Sequence, residues 1–149
     1  MEEKILLNKI VAEKMAQFKA EGQQKIAYSY SYPISVEFNA NTNGTSQIAK
    51  ITISGSQLFI FDQINFCADD DFDILLKESA TGRELSESAI NSQVFSDTDF
   101  TISRYKGIHK FDTPKILSGN SDLAIIIYNK SANANTVKLN FKGVSINNL

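Results

Sequence analysis

The sequence predicts a mainly β protein, an antiparallel β-sandwich preceded by one amphipathic α-helix. Three observations carry this. Residues 3–21 hold the only strong helical periodicity. At Ile26 the apolar period drops from about 3.6 to 2. From there on, short apolar runs alternate with turn residues, the pattern of a sandwich or barrel.

In the helix, Leu7, Val11, Met15 and Phe18 recur at helical spacing, with Leu6, Ile10 and Lys14 beside them. Glu2 and Glu3 suit the positive end of the helix dipole, and Gly22 is a natural stop. Such a helix is about 28 Å long. The chain divides once, into a helical arm over 1–25 and a β-sandwich domain over 26–149.

Tyr28, Tyr30, Tyr32, Ile34, Val36 and Phe38 take every second position, which predicts a half-buried strand. Pro33 lacks an N–H and places that strand at an edge or a bulge. Further strands are expected near 48–53, 57–66, 72–78, 91–95, 98–103, 122–129 and 136–146. The separating turns fall at Asn39 to Gly44, Gly55, Asp69 to Asp71, Thr81-Gly82, Gly107, Pro114, Ser118 to Asn120 and Asn129 to Asn135. Leu123 to Tyr128 is apolar almost throughout, as in a central strand buried on both faces. In the last strand Val137, Leu139 and Phe141 alternate, then the phase slips to Val144 and Ile146. A slip of one beside Gly143 predicts a β-bulge at Lys142-Gly143, without which the tail turns its apolar side outward.

The 149 residues suit one domain with a sizeable core. The net charge of −2 gives no overall pull toward nucleic acid or acidic membranes. The charge is uneven, with ten acids and two bases over 62–100 against seven bases and two acids over 101–149. On separate faces these would let neighbouring copies attract. Mixed by the fold, they make an ordinary solvated surface. A lone cysteine, Cys67, excludes an internal disulfide and suits a reducing cytoplasm. The start at Met1 lacks a basic segment and a cleavage site, so no signal peptide is expected, and no apolar run is long enough to span a bilayer.

Chemical motifs are sparse. Asp69, Asp71 and Asp73 have the alternate spacing of a calcium loop, but that loop needs glycine at position 74 and glutamate at position 80, where the chain has Ile74 and Ala80. An acidic turn is the expectation. One cysteine and one histidine cannot make a usual zinc site, and Cys67 with His109 lacks a marked third partner for thiol catalysis. No nucleophile elbow, phosphate loop or dinucleotide fingerprint occurs. The expectation is a protein that is not an enzyme and needs no cofactor or metal. Tyr28, Tyr30 and Tyr32 share one strand face and form either core packing or an exposed ligand platform.

The C-terminal half carries a further pattern. It reads Asp71-Phe72-Asp73-Ile74, Ala80-Thr81-Gly82-Arg83-Glu84-Leu85, Phe111, Pro114-Lys115-Ile116, Gly119-Asn120-Ser121-Asp122-Leu123, Tyr128-Asn129-Lys130-Ser131, Asn135-Thr136-Val137 and Phe141-Lys142-Gly143. This resembles small β-sandwich domains of bacteriophage virion structural proteins. Each motif marks a turn or bulge, and none is chemical. The resemblance implies a jelly-roll-like sandwich and a structural role in a virion, as a capsid accessory, vertex, collar or tail protein made in the host cytoplasm. It implies contacts with copies of itself and other virion proteins, as a homo-oligomer, with no direct nucleic-acid contact and no membrane insertion. The helix lies outside the pattern. It can pack on its own sheet or on a neighbour, and since a sandwich already buries its inner faces, docking on a neighbour through Leu7, Val11, Met15 and Phe18 is the expectation. The alternative function is a carbohydrate- or receptor-binding sandwich using the tyrosines.

Overall fold

Strand pairing in the computed structural model is nested. The structure describes residues 2–78, 90–92 and 105–149, with helix side chains from Ile5 onward. Helix α1 (Glu2–Ala20) precedes β1 (Lys25–Phe38), β2 (Ser46–Thr52), β3 (Leu58–Ala68), β4 (Phe72–Glu78), β5 (Ile90–Asn91), β6 (Lys106–Leu117), β7 (Asp122–Asn129) and β8 (Asn135–Asn148). β1 pairs with β8, β2 with β7, β3 with β6 and β4 with β5, all antiparallel. The chain is therefore one long hairpin rolled on itself, closed by the β3–β8 and β4–β7 pairs. The two sheets have the orders β1-β8-β3-β6 and β2-β7-β4-β5, a jelly roll. The expected sandwich with an N-terminal helix is what forms. The expected strand at 98–103, positions 93–95 of its neighbour and the Thr81-Gly82 turn lie outside the described residues.

The core lies between the sheets. Val36, Phe38, Phe59, Phe61, Ile64, Phe66, Val137, Leu139 and Phe141 from the first sheet meet Ile51, Phe72, Ile74, Leu76, Leu123, Ile125 and Ile127 from the second. Stacked and edge-on rings, such as Phe59–Phe61 at 5.7 Å and Phe61–Phe141 at 5.5 Å, bind it together.

Four expectations need correction. Gly107 and Pro114 do not separate strands but lie within β6. β6 is an edge strand, and its pairing with β3 jumps from Phe61↔Lys115 to Gln63↔Lys110, so Pro114 sits in a stretch outside the ladder where no N–H is needed. β7 is central, but it is not buried on both faces: Leu123, Ile125 and Ile127 are buried, while Ala124, Ile126 and Tyr128 on the other face are half-buried.

The bulge is real but sits one strand over. β8 keeps an unbroken register with β1 from Asn135 to Asn148. The register breaks in β3, where Phe61 faces Gly143 and Gln63 faces Lys142, leaving Asp62 as the extra residue. This turns Phe59 and Phe61 inward before the bulge and Ile64 and Phe66 inward after it. Gly143 makes it possible: a Cβ there would lie 2.0 Å from the Ile60 carbonyl oxygen and 2.6 Å from the Phe61 Cα.

With no bulge of its own, β8 turns Val144 and Ile146 outward. The helix covers them. Leu7, Ile60 and Ile146 are buried together, with Ile10, Val11, Met15, Phe18, Ala27, Leu58, Ile116 and Val144 packed around them. The helical stripe expected on a neighbour is thus occupied by the chain's own sheet, and the arm over 1–25 is a third layer of the domain. The Lys25 ammonium, 5.0 Å from the Phe18 ring centroid, clamps its end.

Two outcomes follow. Gly143→Ala should destabilise the fold by about 3 kcal/mol through overpacking against β3 backbone, read by urea denaturation. Leu7→Ala should lower the unfolding free energy by about 2–3 kcal/mol in the same assay; an unchanged value would mean the helix adds nothing to the domain.

Candidate interaction surfaces

Asp69, Asp70 and Asp71 sit at one end of the sandwich, where the loop before β4 meets the β7–β8 hairpin. Their oxygens are engaged by protein donors. Ser131 Oγ donates to Asp70 Oδ2 at 2.6 Å and Asn133 Nδ2 at 3.3 Å. Asp71 Oδ1 accepts from Ser92 Oγ at 2.6 Å and Asn91 Nδ2 at 2.9 Å, and Asp69 Oδ2 from the Thr136 N–H at 3.1 Å. The buried Asn135 amide donates to the Asp70 and Asp71 carbonyls and to Asn129 Oδ1. The spacing that looked like a calcium loop is a set of turn-locking bonds. The Ser131 hydroxyl first, then the Asp71 N–H, hold the Asp70 carboxyl below its ordinary value.

Cys67 and His109 do not meet. Cys67 is exposed on the outer face of the first sheet, across from Lys106. His109 lies across from buried Ile64, on the opposite side of that sheet, its ring 4.7 Å from Phe111 and edge-on to it.

The tyrosines divide. Tyr32 packs against the core, 4.8 Å from the Phe59 ring. Tyr28 and Tyr30 share its face but are each 42% exposed, because β1 runs on past the end of β2 and the second sheet does not cover them. The rings stand edge to face at 6.0 and 5.0 Å, a ladder rather than a flat platform. Burial, then the two neighbouring phenols, raise the Tyr32 hydroxyl above its ordinary value.

The two outer faces contrast. On the second sheet, register places Ile48 opposite Ile126 and Ile126 opposite Leu75, an apolar row across β2, β7 and β4. Ile48 is 62% exposed and the other two are half-buried. Lys50, Ala124 and Lys77 form the row on one side, and Ser46, Tyr128 and Asp73 the row on the other. On the first sheet the helix covers only the part before the bulge. Beyond it lie three polar rows: Ser31–Lys142–Gln63–Lys110, Pro33–Asn140–Asn65–Ile108 and Ser35–Lys138–Cys67–Lys106. Beside Leu7 and Asn8 of the helix, a cleft of about 960 Å³ opens toward the first polar row, with Asp62 and Gly143 in its lining.

No known family model and no curated protein sequence matches the chain. Among solved structures it is similar to the VP2 subviral particle of infectious bursal disease virus, at 12% identity and a TM-score of 0.36, over 84% of this chain and 37% of that one. It is also similar to the insecticidal delta-endotoxin Cry8Ea1 of Bacillus thuringiensis, at 16% identity and a TM-score of 0.33, over 78% of this chain and 19% of that one. The chain spans well under half the length of either. Overlap this loose carries neither function nor site.

The apolar residues singled out on the helix, Leu7, Val11, Met15 and Phe18, are brought together, though against their own sheet. The Ile48–Ile126–Leu75 row and the lysine rows escaped sequence reasoning because they are set by cross-strand register between distant segments. One signal was legible: the unbroken apolar run in β7.

For the acidic turn, Ser131→Ala should raise the Asp70 pKa toward the ordinary carboxylate value, read by NMR titration. Because the folded value lies below the unfolded one, ionised Asp70 stabilises the fold above the unfolded pKa. That contribution is lost as pH falls through the folded value. The variant should show a weaker loss of stability on acidification.

Proposed function

We propose that this chain is a structural, non-enzymatic component of a viral particle, most specifically a bacteriophage virion, that assembles in multiple copies through the flank of its second sheet. One observation carries the reading: β7 is apolar on both faces, and within the chain only the inner face is fully buried. β8 turns Val144 and Ile146 outward, and there the helix supplies the cover. On the second sheet no described element lies over Ile48, Ile126 and Leu75, and a neighbouring subunit is the cover that a strand with two apolar faces calls for.

The flanking rows support self-association. A two-fold axis along the Ile126 row would set Lys77 of one copy against Asp73 of the next, and Asp73 against that lysine in return. The turn chemistry shared with phage virion sandwiches supports the narrower assignment to a capsid accessory, vertex, collar or tail position. The polar groups of the acidic turn serve the fold, which supports a role without bond-making. No described helix is long and apolar enough to cross a membrane. A second reading, a receptor- or carbohydrate-binding module, is favoured by the exposure of Tyr28 and Tyr30.

Ile48→Asp decides the flank. The variant should keep its fold by circular dichroism and shift from oligomer to monomer by light scattering, with at least about a tenfold weaker association, from a desolvated charge at the contact. A wild-type chain that is monomeric at high concentration and absent from purified particles would sink the proposal.

A further inference from the structure

We infer that the free edge of β1 pairs antiparallel with β1 of a second copy, across a two-fold axis at Ser31, and joins two first sheets into one. This contact lies on a different side of the sandwich from the flank of the second sheet and does not depend on it. β1 ends its sheet, and among the described residues its ladder partner is β8 alone. Three observations show which backbone groups face outward. The Leu149 N–H donates to the Gln24 carbonyl at 3.1 Å, which continues the β1–β8 ladder and gives that ladder the even-numbered positions. The odd-numbered residues therefore point their N–H and C=O groups away from β8. Pro33, which has no N–H, is odd-numbered and leaves the pairing register unbroken. The Glu37 carbonyl, also odd-numbered, is taken by Gln47 Nε2 from the edge of the second sheet. Among the described residues no bond caps the outward groups from Ala27 to Ser35.

Exposed edges are normally protected by charge. The other edge of this sheet, β6, carries Lys106, Lys110, Asp112 and Lys115. β1 carries no charge between Lys25 and Glu37. Its Ile26, Tyr28 and Tyr30 are 43%, 42% and 42% exposed. The strand is its own complement. With Ser31 opposite Ser31, Tyr30 of each copy lies beside Tyr32 of the other, Tyr28 beside Ile34, and Ile26 beside Val36. The half of β1 that the second sheet leaves uncovered thus meets the half that it covers. Paired positions differ by an even number, so the two faces stay in phase. Just beyond the ladder, Lys25 comes beside Glu37 of the other copy. The Lys25 ammonium already donates to Asn148 Oδ1 at 2.6 Å, and Glu37 lies diagonal to Lys138, so this pair helps fix the register and adds little affinity. Pro33 removes one donor, opposite Ser29 of the other copy. The contact by itself is therefore short-lived, and a covalent trap reads it.

The test uses the full chain with Cys67→Ser, so that the introduced thiol stands alone. Ser31→Cys sets two thiols opposite each other across the axis, with Cα atoms about 5.5 Å apart and within disulfide reach. Under mild oxidation it should form a covalent dimer at least about tenfold faster than Ser118→Cys, at an exposed serine between β6 and β7. Chains bearing Ser29→Cys and Pro33→Cys should crosslink to each other when mixed and not to themselves, which reads the register. Ser29→Pro added to Ser31→Cys should slow crosslinking about tenfold or more with an unchanged circular dichroism spectrum, because the Ser29 N–H faces away from β8. The Ser31→Cys dimer should also form in the Ile48→Asp chain, where the flank is broken, so failure of the assembly reading and failure of this one are separable. A Ser31→Cys rate no greater than that of Ser118→Cys would overturn the inference and leave the edge for an extended segment of a different chain. An undiminished rate with Ser29→Pro, or self-crosslinking of Ser29→Cys or Pro33→Cys as fast as their mixed reaction, would overturn it as well.

Discussion

The close approach of β8 to β3 at Gly143 governs the rest of the structure. Only a residue without a Cβ lets the two backbones come this near, and the approach accommodates the extra residue Asp62 in β3. That single inserted residue changes which side chains of β3 face inward. Before it, Phe59 and Phe61 reach the core; after it, Ile64 and Phe66 do. The same step divides the outer face. On one side lie Leu58, Ile60, Val144 and Ile146, which need cover; on the other lie the serines, amides and lysines that do not.

The helix follows from this division. Its apolar stripe is a lid for the patch that β3 and β8 expose, and it ends where the polar rows begin. A helix of this length alone in water is marginal, and most of its stability comes from the face it buries. The outer flank of the second sheet has an apolar row, Ile48–Ile126–Leu75, over which no described element lies. One flank is therefore closed by the chain's own helix, while on the other Ile48 is 62% exposed.

The jelly-roll order is a consequence of nesting. When β1 pairs with β8 and each inner pair repeats the arrangement, a long hairpin can bury its apolar residues only by rolling up, and two packed sheets result. The turns that allow the roll are polar and tightly bonded. The Asp70–Ser131 and Asn135 contacts tie the loop before β4 to the β7–β8 hairpin across more than sixty positions of sequence.

The sequence by itself determined the helix over nearly its full span, the strands expected from Ile26 to Phe38 and near 57–66, 72–78 and 122–129, the sandwich class, and the turn at Asp69 to Asp71. Periodicity and turn chemistry are local, and those features are local. It also announced that β7 is apolar almost throughout and that the apolar phase slips at the end of β8. Tertiary structure alone decided what covers each face, that the bulge belongs to β3 rather than β8, that β6 passes through Gly107 and Pro114, and that four lysines from two strands share one surface. Each of these depends on register between segments far apart in the chain, and register is set by how the sheets pack, which no single strand specifies.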